Sequence, residues 1–176
     1  MSTMVPLDNP DLPPLDLMGE GRQMARAFCV EEGWRFAQLT RIRWSDCDPF
    51  GHCNHLSFLE HFQDCRNRYL PSLGLPALHA KEPGPVIVDM AVNYTLPVLY
   101  DQVILVTART VRIGRTSFVQ EYAAWKAGEG RAAWCRTTCV LMINETAEKV
   151  VFPAAVADAI ANYEPAQEIK DALLAR

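Results

Sequence analysis

Trp44-Ser45-Asp46-Cys47-Asp48-Pro49-Phe50-Gly51-His52-Cys53-Asn54-His55 decides the reading of this chain. Pro49 and Gly51 beside two aspartates predict a tight turn. Asn54 follows as a candidate N-cap. From there Leu56, Leu59, Phe62, Arg66 and Tyr69 recur at helical spacing, and Phe58, Cys65 and Leu70 widen the stripe. The spacing predicts an amphipathic helix from Asn54 to about Leu70, because Pro71 disfavours the α conformation in the residue before it. A carboxylate is thus expected beside a helix N-terminus. The first can act as base or nucleophile, and the second offers N–H groups to an oxyanion.

Upstream, Trp34 to Trp44 reads as a strand, and Glu20 to Glu32 as a short helix ending near Gly33. Downstream the pattern changes to period two. Val86, Val88, Met90, Val92, Tyr94 and Leu96 are expected on one face; Asp89, Asn93 and Thr95 fall on the other. Val103–Ile113, Phe118–Lys126 and Arg131–Ile143 read as three more strands. The links at Gly114-Arg115 and Gly128-Glu129-Gly130 are short, and short links require antiparallel pairing. A long helix against an antiparallel sheet is an α+β layer pair. From Pro153 onward the chain reads as one or two short surface helices broken by Pro165.

The 176 residues suit one domain with tails, and 49% are apolar. A net charge of −4 argues against broad nucleic-acid or anionic-membrane binding. No apolar run approaches the roughly 18 residues of a membrane span. Met1 to Leu17 has three aspartates and four prolines, without the basic start or apolar core of a signal peptide. It reads as a disordered or loosely docked tail. Six cysteines without C-x-x-C pairs fit reduced thiols and a cytoplasmic location.

Asp-x-Asp-Pro-x-Gly-His-x-Asn at a strand–helix junction resembles the hotdog-fold acyl-CoA thioesterases, in the branch like 4-hydroxybenzoyl-CoA thioesterase. The resemblance covers about Arg35 to Glu145. It implies a long central helix wrapped by a curved antiparallel sheet of about five strands. Residues 35–146 would form that domain, 1–34 an N-terminal extension and 147–176 a helical tail.

The resemblance makes Asp48 the catalytic carboxylate and puts the oxyanion donors near Asn54 and His55. His52 is a candidate for orienting Asp48. Gly51 and Phe58 are candidate substrate contacts. Arg115 and Ser117 are candidates for the coenzyme A nucleotide, since arginine pairs with phosphate. The family works as homodimers, many of them paired into homotetramers. Coenzyme A would be part of the substrate and then a product, with no cofactor and no metal.

Two departures stand out. Many relatives carry a second asparagine where this chain has His55, and about 34 residues precede the first strand. Alternatives on the same fold are an acyl-CoA-binding protein without turnover, and a dehydratase or hydratase built on His52 with Asp46. The acyl group is not legible from these residues.

Overall fold

The sheet's register follows from the short links. In the computed structural model, which describes residues 13–75 and 81–164, every strand pair is antiparallel. In chain order the elements are β1 (Leu15–Asp16), α1 (Arg22–Ala27), β2 (Phe36–Arg41), a 3₁₀ turn (Trp44–Asp46), α2 (His55–Ser72), β3 (Pro83–Tyr94), β4 (Val103–Ile113), β5 (Ser117–Lys126), β6 (Gly130–Ile143), β7 (Glu148–Lys149) and α3 (Ala154–Tyr163). The sheet order is β1-β2-β4-β5-β6-β3, with β7 beside β6. The architecture is the expected α+β layer pair. The sheet has seven strands rather than about five, because β1 and β7 contribute two residues each.

Helix α2 lies on one face of the sheet. Its Phe58, Phe62, Cys65 and Tyr69 are buried at helical spacing. Phe62 stacks on Tyr122 at 5.8 Å, and Tyr69 meets Phe36 edge-on at 5.4 Å. The helix runs two residues past Leu70, with Pro71 inside its last turn. Proline there removes one amide bond, which a fraying helix end can spare.

The opposite face is also covered, which the sequence did not suggest. Leu17, Phe28 and Trp34 from the N-terminal extension pack on Ala37, Leu105, Ala123 and Trp125. Arg109 lies 4.2 Å over the Trp34 ring and pairs with Glu121 at 2.6 Å. Residues 13–17 are therefore docked rather than loose: Leu17 is buried, and β1 pairs with β2. The expectations for residues 1–12 lie outside the described residues. The predicted helix at 20–32 is reduced to six residues and ends before Cys29, which takes φ +52°.

The even alternation expected along β3 is broken by a bulge between Ile87 and Asp89. One extra residue reverses the facing of everything before it. Ile87, paired with the buried Cys139, thus joins Met90 on the helix side, and Val88 is 60% exposed.

Helix α3 packs inward through Val156, Ala157 and Ile160 rather than lying on the surface. Arg35 ties it to the extension, bonding Asp16 at 3.0 Å and stacking 4.4 Å over Tyr163. Just beyond, Glu164 is buried. It accepts hydrogen bonds from the Tyr69 hydroxyl and, at 3.3 Å, from the Thr110 N–H. Burial lifts its carboxyl to about 7, and those bonds offset the shift only in part.

The folded chain therefore holds this proton up to about 7, while the unfolded chain releases it near 4.5. Across that window the unfolded state binds fewer protons, so stability falls as pH rises. The expected loss from this group is about 3 kcal/mol between pH 4.5 and 7. Buried His61 acts in the opposite sense. Burial lowers its pKa, so its contribution is lost as pH falls below about 6.5. Urea unfolding at pH 5 and pH 8 should show Glu164→Gln removing the decline on the alkaline side. An identical decline in that variant would assign it to another group.

Candidate active site

The turn after β2 is fixed by its own side chains. Asp48 Oδ1 accepts from the Phe50 N–H at 2.9 Å, and Gly51 N–H returns to the Asp48 carbonyl at 3.0 Å. Gly51 takes φ +85°, a conformation that favours glycine. The turn is tied to neighbours by Asn54 N–H to the Asp46 carbonyl at 2.8 Å and Cys53 N–H to the Val98 carbonyl at 2.7 Å.

Asn54 has two roles in this geometry. Its Oδ1 accepts from the Leu56 N–H at 2.9 Å, capping α2, and its Nδ2 lies 3.5 Å from Asp48 Oδ2. The Asp48 side chain is 17% exposed, enough to meet a reactant. His52 Nδ1 is 4.0 Å from Asp48 Oδ1, and its ring stacks on Phe50. Among the described residues, no acceptor is paired with the His55 N–H at the first position of α2. The helix dipole adds partial positive charge there.

Asp46 is turned elsewhere. It is buried, accepts from the Arg43 N–H at 2.7 Å and lies 3.5 Å from His61 Nε2. A His52–Asp46 pair, which the hydratase reading needs, is not formed. The thiols beside Asp48 are poor nucleophiles: burial, with the Asp46 charge adding to it, pushes Cys53 up to about 12. Among the described residues no three His, Cys, Asp or Glu side chains gather as a metal set.

A cleft of about 310 Å³ runs from the first turn of α2 along the helix, between it and the sheet. Leu59 and Phe62 line it, with Met90 opposite; Asp48 does not line it, and lies past Asn54 at the helix end. Phe58 does not line it either. It points to the core and packs against Tyr94 at 5.7 Å. Tyr94 is a neighbour of the site that sequence reasoning missed. Its hydroxyl donates to the His55 carbonyl at 3.0 Å. Its place at the end of an alternating strand was the available signal.

Arg115 and Ser117 flank the β4–β5 turn, and Arg115 is exposed. β4 starts beside the Asp48 turn, since Val103 pairs with Arg41 at the end of β2. Ten strand steps carry the chain roughly 33 Å away by Ile113. Within one chain, then, the turn and Asp48 lie at opposite ends of the sheet.

A carboxylate turn, a capped helix and a wrapped antiparallel sheet are the features of one family. Residues 42–160 match the model of the thioesterase-like superfamily, and the chain belongs to that superfamily, with its hotdog fold. A thioesterase-superfamily structure from Jannaschia sp. CCS1 superposes with a TM-score of 0.78 at 20% identity, over 90% of this chain and 98% of that one. A Thermus thermophilus thioesterase, solved with coenzyme A and zinc, gives 0.67 at 28% identity, over 76% and 96%. A Pseudomonas aeruginosa PAO1 protein gives 0.69 at 28%, over 77% and 96%. No helix among the described residues is long and apolar enough to cross a membrane.

Proposed function

We propose that this chain is an acyl-CoA thioesterase, hydrolysing a thioester to a carboxylic acid and coenzyme A. The observation that carries the reading is Asp48, held by the Phe50 N–H and the Asn54 amide at the start of α2. Asp48 attacks the thioester carbonyl itself, or takes a proton from the water that does. The His55 N–H, with the helix dipole behind it, receives the oxyanion. The C–S bond then breaks and the thiolate leaves, taking up the proton drawn from water; on the direct route water then hydrolyses the Asp48 mixed anhydride, which frees the acid and restores the carboxylate. His52 steadies the charge on Asp48, and Gly51 keeps the turn open to the ester. The reading needs no metal or other cofactor, and a cytoplasmic location suits it.

The coenzyme A nucleotide is assigned to Arg115 and Ser117 of a partner subunit, a reading supported by their distance from Asp48 within one chain. β3 supports a homodimer. It is a twelve-residue edge strand with Val88, Met90 and Tyr94 exposed, and such an edge invites pairing. The face behind the sheet is already covered by Leu17, Phe28 and Trp34, which favours a dimer over a tetramer stacked through that face.

Free-thiol release from a panel of aromatic and aliphatic acyl-CoAs tests the activity. Binding of some esters without release from any would instead favour an acyl-CoA-binding protein. Arg115→Ala tests the nucleotide site. It should raise KM about tenfold for coenzyme A esters, a loss typical of one phosphate contact, and leave short pantetheine thioesters little changed. Equal effects on both would refute the nucleotide role.

A further inference from the structure

The cleft along α2 ends on a cation. Leu56 and Arg66 both line it, and the ten residue steps from one to the other span roughly 15 Å of helix axis. Arg66 is 7% exposed, and its Nε has no hydrogen-bond partner. No carboxylate among the described residues forms an ion pair with it. Glu60 also lines the cleft, but it lies six residues and roughly 9 Å of helix axis from Arg66, with its side chain turned about 120° around the helix, and makes no ion pair with it. Arginine cannot escape by losing its proton.

A second buried donor lies behind the cleft wall, on β5 two residues from Tyr122 and on the same strand face. Tyr122, another lining residue, donates to Gln120 Oε1 at 2.7 Å, which leaves the buried Gln120 Nε2 without an acceptor. Arg66 reaches the Cys139 thiol, a neutral partner that leaves its charge unbalanced. A buried cation without a counter-charge and a buried amide N–H without an acceptor are both costly. One ligand group answers both: a carboxylate, whose two oxygens accept from both donors.

We propose that the acyl group of the substrate ends in a carboxylate, so that the substrate is the monothioester of a dicarboxylic acid. Arg66 receives the distal carboxylate with help from Gln120, while the thioester lies at the Asn54 end of the cleft. Water adds across the C–S bond, and the products are the free dicarboxylic acid and coenzyme A. This rests on the thioesterase reading and names its substrate class.

The test compares kcat/KM for glutaryl-, adipyl- and suberyl-CoA with methyl-ended acyl-CoAs of matched length. At the best length the wild type should favour the carboxylate by about 10²-fold, as a site built for a polar group rejects its absence. Arg66→Met should reduce that ratio about 10²-fold, and Arg66→Lys should recover part of it. Calorimetric titration with the free dicarboxylates should show binding to the wild type and none to Arg66→Met. A wild-type preference for methyl-ended esters would overturn the proposal. So would an Arg66→Met variant that slows both classes equally, the pattern expected where a partner subunit's carboxylate neutralises Arg66. Where Arg66→Met fails to fold, the wild-type preference and the same ratio in Gln120→Leu decide. A wild type that hydrolyses no ester at all refutes the thioesterase reading, and the titration then judges the Arg66 site by itself.

Discussion

Asp48→Asn is expected to lower kcat by about 10²–10⁴ while the protein folds as before. The substitution is isosteric. An amide oxygen can still accept from the Phe50 N–H, the 2.9 Å bond that shapes the turn. The cap of α2 is untouched, because Leu56 N–H is held by Asn54 and not by Asp48. What disappears is the charge, which both chemical routes require. KM should change little, since the cleft that takes the acyl group is lined without Asp48. Steady-state kinetics with far-UV circular dichroism separate the two effects. A folded variant that turns over at the wild-type rate would remove Asp48 from the chemistry. A single turnover in ¹⁸O-water bears on the route: label in Asp48 requires a mixed anhydride opened at the Asp48 carbonyl, whereas direct attack by water puts label in the product acid alone.

The turn and its helix were legible because each boundary is marked by a residue with one strong local preference. Asn54 caps, Gly51 takes a positive φ and Pro49 narrows the turn. The four long strands were legible from period two and from their short links. The errors arose where tertiary contacts decide. Nothing local marks the bulge at Val88, since Val86, Ile87 and Val88 are consecutive apolar residues that suit either register. Pro71 was read as a stop, but it falls where a helix can lose an amide bond at little cost. Leu17, Phe28 and Trp34 are irregularly spaced, so no period reveals that they cover a sheet.

The site was legible in its centre and not at its edges. Asp48, His52, Asn54 and His55 are local to one turn, so proximity in sequence becomes proximity in space. Arg115 and Ser117 were joined to them by resemblance alone, and an eleven-residue β4 holds them apart within the chain. Phe58 and Phe62 belong to one apolar stripe, yet only Phe62 lines the cleft; one helical turn separates them. Arg66 did leave a signal. A cation at a stripe position, four residues after Phe62, conflicts with a purely apolar face. Local rules tend to fail in this way at functional positions.

Trp125→Ala is expected to cost about 3–5 kcal/mol and to lower Tm by about 10 °C. Trp125 is fully buried on the face of the sheet away from α2. It meets Trp34 edge-on at 6.0 Å, and its Nε1–H donates to Thr107 Oγ1 at 3.0 Å. Truncation opens a cavity the width of an indole and leaves the Thr107 hydroxyl without its donor. The N-terminal extension then loses its principal anchor. Limited proteolysis should cut between residues 17 and 34 faster than in the wild type. Asp48-dependent turnover should persist below the new Tm, because the turn after β2 takes none of its hydrogen bonds from this cluster. Trp44 is the control. It is 78% exposed, and Trp44→Ala should change stability by no more than about 0.5 kcal/mol. A loss below about 1 kcal/mol in Trp125→Ala would mean that the extension rests on the sheet without stabilising it. Calorimetry on the two variants decides between a covering that belongs to the fold and one that only lies against it.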